Sequence, residues 1–374
     1  MTKKIKILHI QETIGSGGVE RLRLSLAKHL DKNLFDQMFG CTFAVDNIPD
    51  EIRAEGFKVV PIGRLKSPFH WSQHKKVQKI IEEYQPDIIH GAVFEGVTMA
   101  AINGWLKKVP VIIIEETSDP QNRSWKGDLL MKLFSNIADV AIGVSEGVTE
   151  EYLKGKLNLS SSKAITINNG VALPRSISED ELNVARMQYG ISESDFVIGS
   201  MGRMLQDSHK RFSDLIKSFA VFAENKINVK LLLVGDGPEL EGYRKLVNSL
   251  GIKKKVIFAG YQSDVALHYQ LMNVFALVSA REAFGLVLAE AMLNGLPIVA
   301  TKVGGMKYIV EDQVTGFLVE PRNVNSITEK LVWLFSNSEL AREMGEKGKL
   351  RAIQNFTEDM YVKKIEELYK TQIE

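Results

Sequence analysis

The sequence predicts an α/β protein with two similar parallel-sheet domains. Its 374 residues are more than one ordinary hydrophobic core holds and suit two domains. In both halves, short apolar runs alternate with segments of helical periodicity, as in parallel sheets covered by helices. A turn-rich, polar stretch after residue 168 separates the two runs of this pattern. We therefore expect two Rossmann-like domains that face each other across a cleft.

Thirteen short segments carry the strand pattern. Apolar and β-branched runs predict strands at 5–10, 37–43, 58–61, 87–89, 111–114, 140–144, 164–167, 196–201, 230–234, 256–259, 274–278, 297–300 and 316–319. The last segment, 357–373, is an amphipathic helix by its spacing. We predict domains at 1–174 and 175–355, with a helix over 356–374 that packs back on the first domain.

The composition excludes several classes of protein. The formal net charge is +1, from 47 basic and 46 acidic residues, so no overall field favours nucleic acid. The single cysteine, Cys41, excludes a disulfide scaffold and a CxxC redox pair. No apolar run approaches the roughly 18 residues of a spanning helix. The N-terminus is basic and then apolar, but its apolar run is too short for a signal peptide. We therefore expect a soluble, cytoplasmic protein.

A glycine-rich loop follows the first predicted strand. Gly17 and Gly18 open a helix there, where a ligand can approach the backbone and helix amides are available to an anion. The dinucleotide fingerprint fails because Glu20 occupies the place of its third glycine. A tight strand-to-helix turn explains the loop equally well.

Two basic residues lie at the carboxyl edge of the second predicted sheet. Arg203 follows Gly202 at the end of a strand, and Lys210 comes just before a helix. Ligands of α/β proteins bind at this edge, and two cations would offset the charge of a diphosphate. The alternative is a solvated basic loop.

Two glutamates flank the start of a predicted helix near residue 285. Glu282 and Glu290 are separated by seven residues, and Phe284-Gly285 opens a helix that runs to about Leu293. The backbone amides of Phe284, Gly285, Leu286 and Val287 would form a helix N-terminus suited to phosphate or sugar oxygens. Glu290 could bind ribose hydroxyls and Glu282 those of a sugar. The alternative is two surface residues beside a core helix.

Taken together, these motifs resemble glycosyltransferase family 4, whose members have the GT-B fold. The resemblance covers essentially the whole chain in the expected order. It is carried by Gly17-Gly18, Asn169-Gly170-Val171, Gly202-Arg203 with Lys210, residues 234–239, Glu282-Ala283-Phe284-Gly285 with Glu290-Ala291, residues 297–305 and residues 315–318.

The resemblance implies a retaining hexosyltransferase that needs neither a metal nor another cofactor. The donor would be a nucleotide sugar, with a UDP-sugar favoured, bound mainly by the C-terminal domain. The acceptor would be a saccharide or a polyprenyl-linked saccharide on the N-terminal domain, in the assembly of a surface polysaccharide or glycolipid. No nucleic acid partner is implied.

The resemblance also implies a role for each motif residue. Arg203 and Lys210 would neutralise the diphosphate, next to Gly202. Glu290 would bind the ribose, while Glu282 and the backbone of Phe284, Gly285, Leu286 and Val287 would hold the donor sugar and phosphate. Gly17 and Gly18 would approach the diphosphate from the other domain.

One position departs from the family pattern. Many members carry a histidine near the donor sugar, after the strand that corresponds to 111–114, and Glu116 takes that place here. A carboxylate there could accept a sugar hydroxyl or stabilise an oxocarbenium-like state. It could equally cap the segment that follows.

Two segments of the first half raise the question of a membrane. Between Glu55 and Glu82 there is no acidic residue, and six basic residues are present: Lys58, Arg64, Lys66, Lys75, Lys76 and Lys79. With Trp71 among them, segment 56–81 could bind anionic lipid or a lipid diphosphate acceptor, or be a solvated surface. Residues 125–134 carry an apolar stripe of Trp125, Leu129, Leu130, Leu133 and Phe134. We interpret it as facing the core, with a membrane face as the alternative.

A different class of function competes with the enzyme. A non-catalytic GT-B subunit could bind and stabilise a partner transferase. The presence of Arg203, Lys210, Glu282 and Glu290 favours the enzyme, since a binding-only subunit needs no donor site. A cytoplasmic enzyme of this kind would be free or held at the inner face of the membrane.

Overall fold

The structure, a computed structural model, describes residues 3–15, 17–119, 123–205 and 209–374. It divides into two compact units, an N-terminal unit of residues 1–170 with 358–374 and a C-terminal unit of residues 171–357. The division near residue 170 lies close to the turn cluster that the sequence predicts as the linker.

Strands and helices alternate along most of the chain, and three helices follow the last strand. The strands are β1 (Ile5–Ile14), β2 (Phe35–Ala44), β3 (Lys58–Pro61), β4 (Ile88–Ala92), β5 (Val111–Glu116), β6 (Val140–Gly143), β7 (Ala164–Thr166), β8 (Phe196–Met201), β9 (Val229–Val234), β10 (Val256–Gly260), β11 (Val274–Leu277), β12 (Ile298–Thr301) and β13 (Gly316–Val319). Each predicted strand is confirmed, with ends that differ by a few residues.

The helices follow the same order along the chain. They are α1 (Gly18–His29), α2 (Ile48–Ala54), α3 (Trp71–Tyr84), α4 (Val93–Leu106), α5 (Trp125–Ile137), α6 (Glu179–Tyr189), α7 (Phe212–Phe222), α8 (Leu240–Ser249), α9 (Ala266–Gln270), α10 (Leu286–Leu293), α11 (Met306–Ile309), α12 (Val324–Ser336), α13 (Ser338–Asn355) and α14 (Glu358–Ile373). The described residues also form a π-helical segment, Val148–Lys156, and a short 3-10 turn, Lys253–Lys255.

The N-terminal unit is a seven-stranded parallel sheet covered on both faces. Its strand order is β3-β2-β1-β4-β5-β6-β7. Successive strand residues point to opposite faces, so Ile7 packs with α1 and α14 while Leu8 packs with α3, α4 and α5. Strands buried on both faces need apolar residues at most positions, which explains the nearly continuous apolar runs in the sequence.

The last helix, α14, belongs to the core of the N-terminal unit. Tyr361, Val362, Ile365 and Tyr369 are buried among residues of α1 and the sheet. The Tyr369 hydroxyl lies 2.6 Å from Nδ1 of His90 on β4, so a polar contact accompanies the apolar ones. The helix therefore lies beside α1 and covers part of the same face of the sheet.

A buried ion pair joins α1 to the centre of this sheet. Arg23 of α1 and Glu115 of β5 are in direct contact, and each side chain is 1% exposed. Burial alone would raise the pKa of Glu115, but the Arg23 charge and the His90 hydrogen bond lower it to about 2. Glu115 is therefore ionised at neutral pH and compensates the buried guanidinium.

The C-terminal unit is a six-stranded parallel sheet with the order β10-β9-β8-β11-β12-β13. Its core joins alternate strand residues to the apolar faces of α7, α8, α12 and α13. Within this unit the backbone amide of Val171 donates to the carbonyl of Phe356 over 2.8 Å, so the first and last residues of the unit are adjacent.

The prediction that the stripe on residues 125–134 faces the core is wrong for three of its members. Trp125 is 70% exposed, Leu129 60% and Leu133 50%, whereas Phe134 is 1% exposed. Helix α5 turns Met131 and Phe134 into the core that it shares with α4, and Leu130 and Ile137 pack against the same core.

Replacing Glu115 with Gln tests the buried ion pair. The substitution leaves Arg23 charged and buried without a counter-ion, which costs about 3–5 kcal/mol of unfolding free energy. Glu51→Gln is the matched control, because Glu51 of α2 forms a surface ion pair, at 3.1 Å, with Lys28 of α1, the helix that also carries Arg23. Its expected cost is below about 1 kcal/mol. Urea unfolding of both variants at neutral pH measures the difference.

The ion pair of Arg23 and Glu115 should stabilise the fold less at acid pH than at neutral pH. The carboxyl has an ordinary pKa of 4.5 and a folded pKa of about 2, so its contribution is complete above the unfolded value. It is lost as the pH falls from the unfolded towards the folded pKa. The difference in unfolding free energy between the wild type and Glu115→Gln should therefore be smaller at about pH 3 than at neutral pH. A difference that does not change with pH would contradict the lowered pKa of Glu115.

Candidate functional site

The C-terminal sheet reverses its strand order between β8 and β11. From β8 the chain runs outward through β9 and β10, and it then returns to β11 on the other side of β8. Such a switch point leaves a crevice at the carboxyl ends of the two strands, where open α/β sheets bind ligands. Gly202 and Arg203 follow β8, and Glu282 lies in the loop after β11. The topology therefore brings these sequence motifs together.

Lys210 and Glu282 meet at this switch point. The Nζ of Lys210 donates to Oε2 of Glu282 over 2.5 Å, and the side chains are 22% and 18% exposed. The stem of Lys210 runs along Gly202, where an added Cβ would lie 3.4 Å from Cε of the lysine. Arg203 is exposed beside them. The site thus presents one paired and one exposed cation.

The loop after β9 closes one side of the same site. Gly235 has a φ of +133°, and a Cβ there would lie 2.0 Å from the carbonyl oxygen of Gly202. The amide of Gly202 donates to the carbonyl of Val234 over 3.0 Å. Only a glycine permits this approach of two backbones, so the glycine motifs after β8 and β9 form one packed unit.

Helix α10 begins directly beside Glu282. Gly285 precedes it with a φ of +98°, and the amide of Leu288 donates the first helical hydrogen bond to the carbonyl of Gly285 over 2.8 Å. The amides of Leu286 and Val287 come before that bond, at the positive end of the helix. Phe284 is 2% exposed and packs on Phe356, so its side chain belongs to the core.

Glu290 lies on the second turn of α10 and has a partner that the sequence analysis missed. The hydroxyl of Tyr269 donates to Oε2 of Glu290 over 2.7 Å and lies 3.2 Å from the carbonyl oxygen of Val287. Burial raises the pKa of Tyr269 well above its ordinary value, so the hydroxyl keeps its proton. Tyr269 therefore fixes the orientation of the carboxylate. Its separation of 21 residues from Glu290 gave no local signal.

The glycine loop of the N-terminal unit lies at the corresponding switch point, between β1 and β4. Gly17 is exposed, Gly18 begins α1, and Ser16 lies outside the described residues. Carboxylates lie near it: burial and the charges of Glu95 and Glu20 raise the pKa of Glu12, against an opposing effect of the Arg64 charge. Carboxylates of this kind accept hydroxyl hydrogen bonds and disfavour anions.

Glu116, at the end of β5, accepts hydrogen bonds from two residues of the segment that follows the strand. It is 4% exposed and pairs with Nη1 of Arg123 at 2.5 Å. The backbone amide and the hydroxyl of Ser118 also donate to it, over 3.1 and 2.6 Å. Arg123 in turn donates to the hydroxyl of Tyr152 over 2.8 Å. The carboxylate thus anchors the start of the segment between β5 and α5.

The basic residues of segment 56–81 are at the surface, around the start of α3. Lys66 and Lys75 are exposed, and Trp71 is 51% exposed. Lys76 donates to the carbonyl of Ile62 over 2.8 Å, and Lys79 lies 3.6 Å from Glu83. The segment therefore presents cations and an indole ring together.

The described residues form neither a cluster suited to a metal ion nor a helix suited to span a membrane. Across 3–15, 17–119, 123–205 and 209–374, no group of three or more His, Cys, Asp or Glu side chains is arranged to hold a metal ion. Within those same ranges, no helix has both the length and the apolar character needed to cross a bilayer.

Two family models match successive parts of the chain. The model described as Glycosyltransferase Family 4 matches residues 16–175, and the one described as Glycosyl transferases group 1 matches residues 183–351. Together they include the glycine loop of the N-terminal unit and the switch point of the C-terminal unit.

Known proteins resemble the chain in sequence and in fold. The N-acetyl-alpha-D-glucosaminyl L-malate synthase of Bacillus anthracis is 33% identical over 189 residues, 50% of this chain and 49% of that protein. The capsular polysaccharide biosynthesis glycosyltransferase CapM of Staphylococcus aureus is 29% identical over 252 residues, 65% of this chain and 64% of that protein. The chain thus spans about half to two thirds of these relatives.

Among solved structures, that of Anabaena Alr3699/HepE in complex with UDP has a TM-score of 0.86 at 22% identity. The similarity covers 98% of this chain and all of that one. Two parallel-sheet units with this likeness define a GT-B protein, which confirms the predicted fold class. With the family matches, the chain belongs to the GT-B glycosyltransferases of the family 4 type.

Replacing Gly235 with Ala tests the close approach of the two glycine loops. The new Cβ would collide with the carbonyl of Gly202, so the loop must shift. Gly251→Ala is the matched control, because Gly251 also has a positive φ, +69°, but nothing lies within 4 Å of its Cβ position. We expect Gly235→Ala to cost about 1–3 kcal/mol more than the control. Equal thermal unfolding midpoints would contradict the packing.

Proposed function

We propose that the chain is a retaining hexosyltransferase that uses a nucleotide sugar, with a UDP-sugar favoured, and needs no metal. The contact of Lys210 with Glu282 at the switch point, beside the N-terminus of α10, carries the proposal. It places a cation and a hydroxyl acceptor where open α/β sheets bind ligands. The complex of HepE with UDP, on the same fold, supports this choice of donor.

The cations of the site would serve the leaving group. When the bond between the sugar C1 and the diphosphate oxygen breaks, negative charge grows on that oxygen. Lys210 and Arg203 would stabilise this charge, together with the amides of Leu286 and Val287. The acceptor hydroxyl forms the new bond to C1 on the same face and gives its proton to the departing phosphate oxygen. Glu282 would hold a sugar hydroxyl.

The remaining donor contacts follow from the second turn of α10. Glu290 would bind the ribose hydroxyls, and Tyr269 would hold one carboxylate oxygen in place. Gly202 and the backbones of Phe284 and Gly285 would leave room for the donor. For Gly17 and Gly18, the donor contact that the resemblance implies stays a prediction.

Glu116 takes a different role in this proposal from the catalytic one that the sequence suggested. Its carboxylate is buried and bound by Arg123 and Ser118, so it would position the segment after β5. Through that segment it would shape the acceptor side without touching the sugar.

The acceptor would be a saccharide, free or lipid-linked, in polysaccharide or glycolipid assembly. The carboxylates around Gly17 favour a ligand rich in hydroxyl groups. The name of CapM supports a polysaccharide pathway. Segment 56–81 would bind the diphosphate of a lipid-linked acceptor or an anionic membrane at the inner face.

A thermal-shift screen against UDP-, GDP-, ADP- and dTDP-sugars with a chelator present tests the donor site. A ligand at 100 times its dissociation constant stabilises a fold by about 2.7 kcal/mol, which is several degrees. We expect a shift with the UDP-sugars alone. A shift that requires added divalent metal would contradict metal independence. No shift with any nucleotide would favour the non-catalytic subunit.

Lys210→Ala tests the role of the paired cation. Removal of one preorganised charge donor lowers kcat by about 100-fold or more. Lys217→Ala is the matched control, because Lys217 is an exposed lysine of the adjacent helix α7. Turnover assays with the donor that the screen identifies should separate the two variants. Equal kcat values would remove Lys210 from the mechanism.

A further inference from the structure

The exposed face of α5 is apolar along its whole length. Trp125, Leu129 and Leu133 are spaced by four residues, so they form one stripe on the helix. Their exposed fractions are 70%, 60% and 50%, while Met131 and Phe134 on the opposite face are each 1% exposed. A contiguous stripe of three large apolar side chains marks an interaction surface more often than isolated exposed ones do. We call it the α5 stripe.

Cations border this stripe on both sides. Lys126 and Lys132 are exposed, and Nζ of Lys126 lies 5.6 Å from the ring centroid of Trp125. The one acidic residue of α5, Asp128, is engaged elsewhere. It accepts from the hydroxyl of Tyr152 over 3.0 Å and pairs with Lys156 at 2.7 Å. The exposed face of α5 is therefore apolar and positively charged.

A second apolar and basic feature lies in the same helical layer. Helices α3 and α5 both pack on α4 and share one core beneath the layer. Both helices follow parallel strands, so both begin at the carboxyl edge of the N-terminal sheet. Phe69 and Trp71, which are 53% and 51% exposed, lie at the start of α3, and Trp125 is the first residue of α5. The layer thus carries exposed indole rings at one rim.

We propose that the α5 stripe, with Lys126 and Lys132, is a docking surface for an anionic lipid bilayer. Leucine and tryptophan on one face and lysine at its borders is the composition of a helix that lies in the membrane interface. The lysines match anionic head groups. A second copy of this chain fits less well, because a symmetric contact through the stripe would place lysines of both copies together. The surface adds to the contact proposed for segment 56–81, and its test does not depend on turnover.

Vesicle flotation of the full-length protein tests the surface. The probes are phosphatidylcholine vesicles with and without phosphatidylglycerol. We expect binding only when phosphatidylglycerol is present. Trp125→Ala with Leu129→Ala should weaken it by about tenfold or more, because two large apolar side chains no longer enter the interface. Lys126→Gln with Lys132→Gln should reduce the preference for the anionic lipid.

The matched control removes an equally exposed apolar pair from another helix. Val184 and Met187 on α6 are 58% and 76% exposed, beside the acidic residues Asp180 and Glu181. Val184→Ala with Met187→Ala should leave vesicle binding unchanged, and circular dichroism should show that all variants keep the wild-type fold.

Four results would overturn the proposal. One is that the wild type binds neither kind of vesicle. Another is that the α5 variant binds as the wild type does. If only Lys75→Gln with Lys79→Gln weakens binding, segment 56–81 alone holds the membrane. If light scattering shows a wild-type dimer that the α5 variant abolishes, the stripe joins two copies of this chain.

Discussion

Parallel pairing of the strands is the constraint on which both units depend. In a parallel sheet every strand ends at the same edge, so loops far apart in sequence meet there. This brings Lys210, which follows β8, against Glu282, which follows β11, at 2.5 Å. The same geometry places Glu116 and the glycine loop at one edge of the N-terminal sheet. The close approach at Gly235 then sets the shape of the C-terminal site.

Much of this arrangement could be predicted from the sequence. Buried parallel strands need unbroken apolar runs, so their positions were readable, and the order of motifs gave the fold class. The start of α10 was also predictable, because Phe284-Gly285 precedes an apolar helical segment. These features depend on residues that are close together in the sequence, so one sequence is enough to predict them.

What escaped prediction depends on partners distant in sequence. Glu115 and Glu116 are neighbours, yet their side chains point to opposite faces and are bound by Arg23 and Arg123. Tyr269 reaches Glu290 from another helix. The α5 stripe has the periodicity of a core-facing helix, and only packing shows that Trp125, Leu129 and Leu133 face outward while Phe134 faces inward as predicted. Periodicity shows that a helix has an apolar face, but it does not show whether that face points to the core or to the surface.

The return of α14 to the N-terminal unit affects the order in which the chain can fold during synthesis. The C-terminal unit is one continuous stretch, 171–357, whose ends are adjacent. The residues of its core are all synthesised before those of α14. The N-terminal unit is synthesised first but lacks Tyr361 and Tyr369 until α14 has been made. The first part of the polypeptide to emerge is therefore the last to reach its full core, and a premature stop near residue 357 would spare the second unit and leave the first one incomplete.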